Sequence, residues 1–322
     1  MKKSKKIVII VSCVVVFLGL LIGCIGLYSL GFDFRKLDAS KLQTRSYEIA
    51  EDFTVLDLDM QSADLIILPS QDGKAKVVCR EREKESHSVF VKDGVLSVRV
   101  ENNRKWYDYI GFNFGEQTVT VYLPKTEYAK ITVGTDTGDI RVPKEFSFDE
   151  AKITTDTGDV TWSASVADGL TVLTDTGDLE ISSVASEAWI KLKADTGDIG
   201  LWNINCKTLG ITTDTGDVEL EGVSVSDTVT VKTNTGDVEL ERVMVAENLQ
   251  ITTDTGDVEM DNSDAATIKI QTDTGDVSGV LLSEKVFLTH TDTGKIDVPK
   301  TTSGGVCEVV TDTGDIYFRI KR

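Results

Sequence analysis

The chain has 322 residues, with 34 Lys plus Arg against 53 Asp plus Glu and a formal charge of −19. Lys2, Lys3, Lys5 and Lys6 precede an uncharged run, so residues 33–322 hold 30 basic and 53 acidic residues, a charge of −23. A body this acidic excludes nucleic acid as partner and disfavours docking on anionic lipid. An apolar share of 40%, with 26 Gly and only 4 Pro, fits a folded domain rather than a disordered tail. Five cysteines are too sparse for a disulfide scaffold, and two histidines are too few for a His-based metal cluster.

From Ile7 to Phe32 the chain runs 26 residues without a charge. As a helix rising about 1.5 Å per residue, this run exceeds the roughly 30 Å bilayer core. Lysines crowd one end, while Asp33, Arg35, Lys36 and Asp38 mix signs at the other. The positive-inside rule therefore keeps the N-terminus cytoplasmic and sends the remainder outside. The string Leu21-Ile22-Gly23-Cys24 offers an alternative, lipoprotein processing with anchoring at Cys24. Both readings place residues 33–322 outside the cytoplasmic membrane. The expected organisation is a basic tail (1–6), a transmembrane helix (7–32), a juxtamembrane linker (33–46), irregular β coils (47–134) and regular repeats (135–322).

In the irregular segment, Leu56, Leu58, Met60, Leu65 and Ile67 alternate around Gln61-Ser62-Ala63-Asp64, a degraded turn 75 residues before Thr135. That gap fits roughly four more coils of the later period. Residues 76–100 and 117–123 read as strands, with a turn at Lys92-Asp93-Gly94. The patch around Trp106, Tyr107 and Tyr109 sets aromatics beside Arg104 and Lys105, and is expected to cover the N-terminal mouth or to contact a carbohydrate or peptide.

Beyond it the pentapeptide Thr-Asp-Thr-Gly-Asp starts at residues 135, 155, 174, 194, 213, 233, 253, 272, 291 and 311. Only Ala194, Asn234 and Lys295 depart from it among fifty positions. Self-similarity near 20 residues marks a solenoid. After each motif, apolar residues such as Ile140 and Val142, or Val218 and Leu220, flank an outward residue such as Arg141 or Glu219. This period of two predicts strands. Each unit is thus strand, turn, strand and a shorter corner, and identical stacked coils fit better than a hairpin meander. The fold expected is all-β, a single-chain parallel β-helix behind one transmembrane helix. The fourth motif position is always Gly, as a turn with positive φ requires. The first Thr, replaced once by Ala194, has inward parity, as do Trp162, Cys206 and Cys307; Trp202 has outward parity.

The string Gln117-Thr-Val-Thr-Val-Tyr-Leu-Pro124 leading into Thr-Gly-Asp-Ile/Val units, behind an apolar helix, resembles the bacterial "putative adhesin" family of β-strand-repeat domains of unknown function. The likeness covers about residues 47–320 and implies a right-handed β-helix on a bacterial cell envelope. It supplies no ligand.

Stacking aligns the motif aspartates in two columns. Adjacent carboxylates about 4.8 Å apart repel by about 0.9 kcal/mol even at the dielectric of water. Turn amides and solvent can compensate, or Ca²⁺ can bridge pairs such as Asp136 with Asp139, Asp156 with Asp159, and Asp254 with Asp257. Near-equivalent carboxylates lack the separated environments that catalysis needs, so the expectation is no enzyme, no catalytic residue and no resident cofactor. The function expected is a non-enzymatic surface adhesion or envelope interaction module. Its expected partners are the membrane, through the helix, and a glycan, cell-wall or protein ligand, with Trp106, Tyr107, Tyr109 and Trp202 as contacts. The alternatives are a carbohydrate-active β-helix enzyme and a Ca²⁺-stabilised stalk.

Overall fold

Thr155 lies in parallel register with Thr135 on one side and Thr174 on the other, and the same pairing carries on through Ala194, Thr213, Thr233, Thr253 and Thr272. The repeat therefore closes into stacked coils, and the meander is excluded because successive units pair in parallel. The computed structural model describes residues 3–29, 31–32, 42–103, 105, 115–185 and 189–321.

One α-helix, Lys3–Ser29, precedes the strands. Its Ile10–Ser29 portion has mean hydropathy 2.8, is not buried among the described residues, and is long and apolar enough to cross a membrane. Gly31, at φ 67°, ends it by donating its amide to the Tyr28 carbonyl at 3.0 Å, the left-handed stop that glycine adopts cheaply. The first strands are β1 (Leu42–Ile49), β2 (Val55–Met60), β3 (Ala63–Pro69), β4 (Ala75–Arg82), β5 (Glu85–Lys92), β6 (Val95–Asn102), β7 (Gln117–Leu123), β8 (Glu127–Thr137) and β9 (Ile140–Val142). β1 begins inside the stretch read as linker.

Inward residues of every coil form one continuous core. Ile131, Ile153, Leu170, Val229 and Ile268 are fully buried, and Trp162 is the largest buried side chain. Trp162 ends a run of ring contacts from Phe53 through Tyr128 and Phe148, with centroids 6.0, 5.8 and 5.6 Å apart. The motif threonines line the core beside the turn, and several donate their hydroxyl to a glycine carbonyl of the adjoining coil, as Thr311 does to Gly275 at 3.1 Å. Glycine is obligatory at the fourth motif position. Gly236 sits at φ 150°, and a Cβ there would lie 2.0 Å from the Gly216 carbonyl oxygen. A second corner repeats too. Ser183, Asn203, Gly222, Arg242 and Asn262 all hold φ between 50° and 64°, and the Ser183 amide reaches the Trp202 carbonyl at 2.8 Å.

Both ends depart from sequential stacking. The β2–β3 coil lies between β8–β9 and the later β6–β7 coil. The degraded Gln61–Asp64 turn thus stacks directly on the first perfect motif, and the Asp139 amide donates to Asp64 Oδ1 at 3.0 Å. The four extra coils expected between them are not formed. Instead β4 runs antiparallel between β7 and β1, and β5 antiparallel to β6, capping the stack. At the other end, strand Gly305–Thr313 lies between Val258–Thr274 and Lys285–Thr293, so the chain passes to the outermost coil and returns to fill the gap.

Candidate functional site

The outer faces carry the aspartates in two different settings. In the column that follows the glycines, each Oδ1 accepts the amide of the equivalent residue one coil on: Asp159 from Asp178 at 2.9 Å, Asp257 from Asp276 at 2.7 Å. Asp276 accepts from Asp315, 39 residues away, and Asp315 accepts from Lys295. Lys295 therefore occupies the last rung, where no further coil presents an amide, and a carboxylate there has nothing to accept. Of the calcium candidates, Asp139, Asp159 and Asp257 belong to this ladder, whereas Asp136, Asp156 and Asp254 stand exposed in the other column. Asn234 in that column reaches Asp214 Oδ1 at 3.5 Å.

Trp202 breaks the regular outer wall. The tip of its six-membered ring lies against Gly200, where a Cβ would come within 2.0 Å of Cη2. Beside it run Glu180, Asp198, Glu219 and Glu239 in a shallow groove whose lining holds no Arg or Lys. Trp189, which parity did not single out, behaves likewise: it covers Gly169 of the preceding coil and remains 40% exposed. An outward glycine at a strand position was the available signal for both. Trp106, Tyr107 and Tyr109 lie outside the described residues.

A second assembly is buried in the N-terminal cap. Cys79 and Glu81 share the inward face of β4, and His87 enters from β5. Glu81 Oε2 accepts both the His87 amide at 2.6 Å and an Nδ1 contact at 2.9 Å, while Arg45 Nε lies 3.2 Å from Oε1. Tyr47 donates its hydroxyl to the His87 carbonyl at 2.9 Å. Burial, reinforced by the Glu81 charge, pushes the Cys79 thiol up to about 12. Cys206 and Cys307 are inward thiols, as parity indicated, and burial raises each to about 12. Composition gave no signal of the cap cluster, because its residues come one each from three types scattered along the chain.

Strand-turn-strand coils with this glycine register are matched by one family description, Toastrack DUF4097, over residues 53–243 and again over 216–322. The chain belongs to the Toastrack DUF4097 family. This toastrack domain is one of unknown function, and no match is found among curated proteins. Among solved structures, a "putative adhesin" from Bacteroides fragilis is 16% identical, covering 87% of this chain and 97% of its own, with a TM-score of 0.44. A "putative adhesin" from Parabacteroides merdae is 16% identical over 88% of this chain and 98% of its own, with a TM-score of 0.36. A "putative lipid binding protein" from Parabacteroides distasonis is 11% identical over 88% and 98%, with a TM-score of 0.37.

Proposed function

We propose that this toastrack protein is anchored by its N-terminal helix, carries its β-helix outside the cytoplasmic membrane, and acts there as a non-enzymatic module that holds a surface glycan. The observation that carries this reading is the half-buried Trp202, its ring tip against Gly200, beside Glu180, Asp198, Glu219 and Glu239. An indole face stacks on the apolar face of a sugar ring, and carboxylates accept from its hydroxyl or amine groups. The same carboxylates repel anionic polymers, so the fitting ligand is a neutral or amine-bearing glycan. Anchoring rests on the apolar Ile10–Ser29 helix and the lysines before it. The non-enzymatic reading rests on repetition, since Glu180, Glu219 and Glu239 hold one register position, interrupted by Gly200 between the first two.

The test is a glycan and cell-wall binding screen with the purified full chain in detergent. Binding to neutral or amino-sugar glycans that falls at least about tenfold in Trp202→Ala is expected, the loss of one stacked ring. Binding unchanged in that variant would overturn the assignment of the groove. Anchoring is tested separately by a reporter at Arg322, expected to be active only outside the cytoplasm.

A further inference from the structure

We propose that Cys79, Glu81 and His87 form a site for one borderline-soft divalent cation of the zinc type, inside the N-terminal cap. Each offers one donor atom, and the three atoms lie within 4.8 Å of one another. Around a tetrahedral zinc ion, donors stand about 3.4–3.6 Å apart, as its bond lengths of about 2.0–2.3 Å require, so the Nδ1–Oε2 pair, 2.9 Å apart, opens by about 0.5 Å while wider pairs close by about 1 Å at most. The donors also sit on well-ordered pieces of backbone. Cys79 and Glu81 are two residues apart on one face of β4, and His87 faces them from β5, so no loop has to be recruited.

The donor set selects the ion class. A thiolate and an imidazole suit zinc and its neighbours, whereas calcium and magnesium take oxygen ligands. Thiolate and carboxylate together neutralise a divalent charge, which matters because the three residues are at most 3% exposed. Arg45 engages Oε1 and leaves Oε2 turned toward the imidazole. Nδ1 and Oε2 stand 2.9 Å apart in hydrogen-bond contact, and the cation would replace that contact. His87 Nε2 is buried without a hydrogen-bond partner among the described residues, so Glu81 is the ring's one polar tether and Nδ1 is the nitrogen turned toward the other donors. Three protein ligands leave a fourth position for solvent. The ion would cross-link β4 and β5, and through Glu81 and Arg45 would hold β1, the strand that closes this end of the solenoid.

The experiment uses the full chain in detergent, stripped with a chelator and titrated with Zn²⁺ or Co²⁺ alone. Expected are one tightly held ion per chain, a cobalt–thiolate charge-transfer band, and an X-ray absorption first shell with one sulfur beside nitrogen and oxygen. Cys79→Ser should lose the band and weaken binding at least about tenfold, while Cys206→Ser should keep both. Absence of saturable binding, a wild-type first shell without sulfur, or undiminished binding in Cys79→Ser would each overturn the proposal. The wild-type absorption measurement decides even where a variant fails to fold.

Discussion

Lys285 Nζ lies 2.5 Å from Asp264 Oδ1, and both side chains are almost fully buried. The pair joins the outermost coil to an inner one across the coil between them, whose Gly305 lets the backbones approach closely: a Cβ there would stand 1.9 Å from the Ala266 carbonyl oxygen. The interleaved end is thus clamped at its corner. Lys285→Met leaves a buried carboxylate uncompensated and should destabilise this end by about 3 kcal/mol. Hydrogen exchange of residues 285–320 should rise steeply, and adding Asp264→Leu should restore most of the protection. Unchanged exchange in the single variant would show that the pair clamps nothing.

Glycine at the turn is a separate constraint. At Gly236 a methyl group would meet the Gly216 carbonyl at 2.0 Å in a backbone region closed to L-residues, whereas at Gly210 nothing lies within 4 Å. Gly236→Ala should cost about 3 kcal/mol from overpacking and strain. Gly210→Ala should be near neutral. Equal melting temperatures for the two would refute the close stacking of turns.

The ladder aspartates should need an acceptor more than a charge. Asp257 Oδ1 takes the Asp276 amide at 2.7 Å, and asparagine keeps that oxygen while relieving repulsion within the column. Asp257→Asn is expected to be neutral or slightly stabilising, and Asp257→Ala to cost about 1 kcal/mol. On the same reasoning Ca²⁺ should raise the melting temperature no more than NaCl of equal ionic strength. Saturable calcium binding by calorimetry would reverse that expectation.

Much of this architecture was legible because parity and period act locally. The inward residues 131, 153 and 170 and the invariant turn glycine announce a coil whatever its neighbours are. Stacking order is harder to read: the units at Thr291 and Thr311 share one period and one turn, and these do not say which lies outermost. Two residues did carry the signal. Lys295 replaces the ladder carboxylate where no further amide exists, and Thr289 replaces the inward aliphatic where the core ends. The second corner was hidden because Ser183, Asn203, Gly222, Arg242 and Asn262 share only a backbone conformation. The cap cluster was hidden because Glu81 and His87 are polar at inward positions, which reads as irregular pattern until their contacts are seen. Trp202 was found by parity, but its glycine platform was not.

Asp64 gives a pH signature to the first interleaved rung. Burial, chiefly, holds its carboxyl above the usual carboxylate range, with the Asp139 and Glu116 charges adding to it against the Asp139 amide hydrogen bond and Arg141. A raised folded value means that the folded state binds the proton more tightly than the unfolded chain does. Stability from this group therefore increases as pH falls from the folded value toward the ordinary one, and is lost as pH rises through that window. Asp64→Asn retains the acceptor for the Asp139 amide and removes the titration. It should exceed wild type in stability at neutral pH, with the gap closing in acid. A pH-independent gap in denaturant titrations would contradict the assignment.

The interleaving itself can be tested by cross-linking. Gln271 pairs with Val310, and Val310 with His290, all on the outer face. Neighbouring strands lie about 4.8 Å apart, so residues 271 and 310 fall within the Cα separation a disulfide spans, while 271 and 290 stand roughly 9.6 Å apart and do not. Sequential stacking would place 290 beside 271 and 310 one coil further out. Oxidation of Gln271→Cys/Val310→Cys should therefore yield a disulfide peptide by mass spectrometry, and Gln271→Cys/His290→Cys should yield none. The native Cys79, Cys206 and Cys307 are buried and do not compete, and the exposed Cys13 and Cys24 are replaced by Ser in both variants. The opposite pattern would restore the sequential order and, with it, remove the clamp between Lys285 and Asp264.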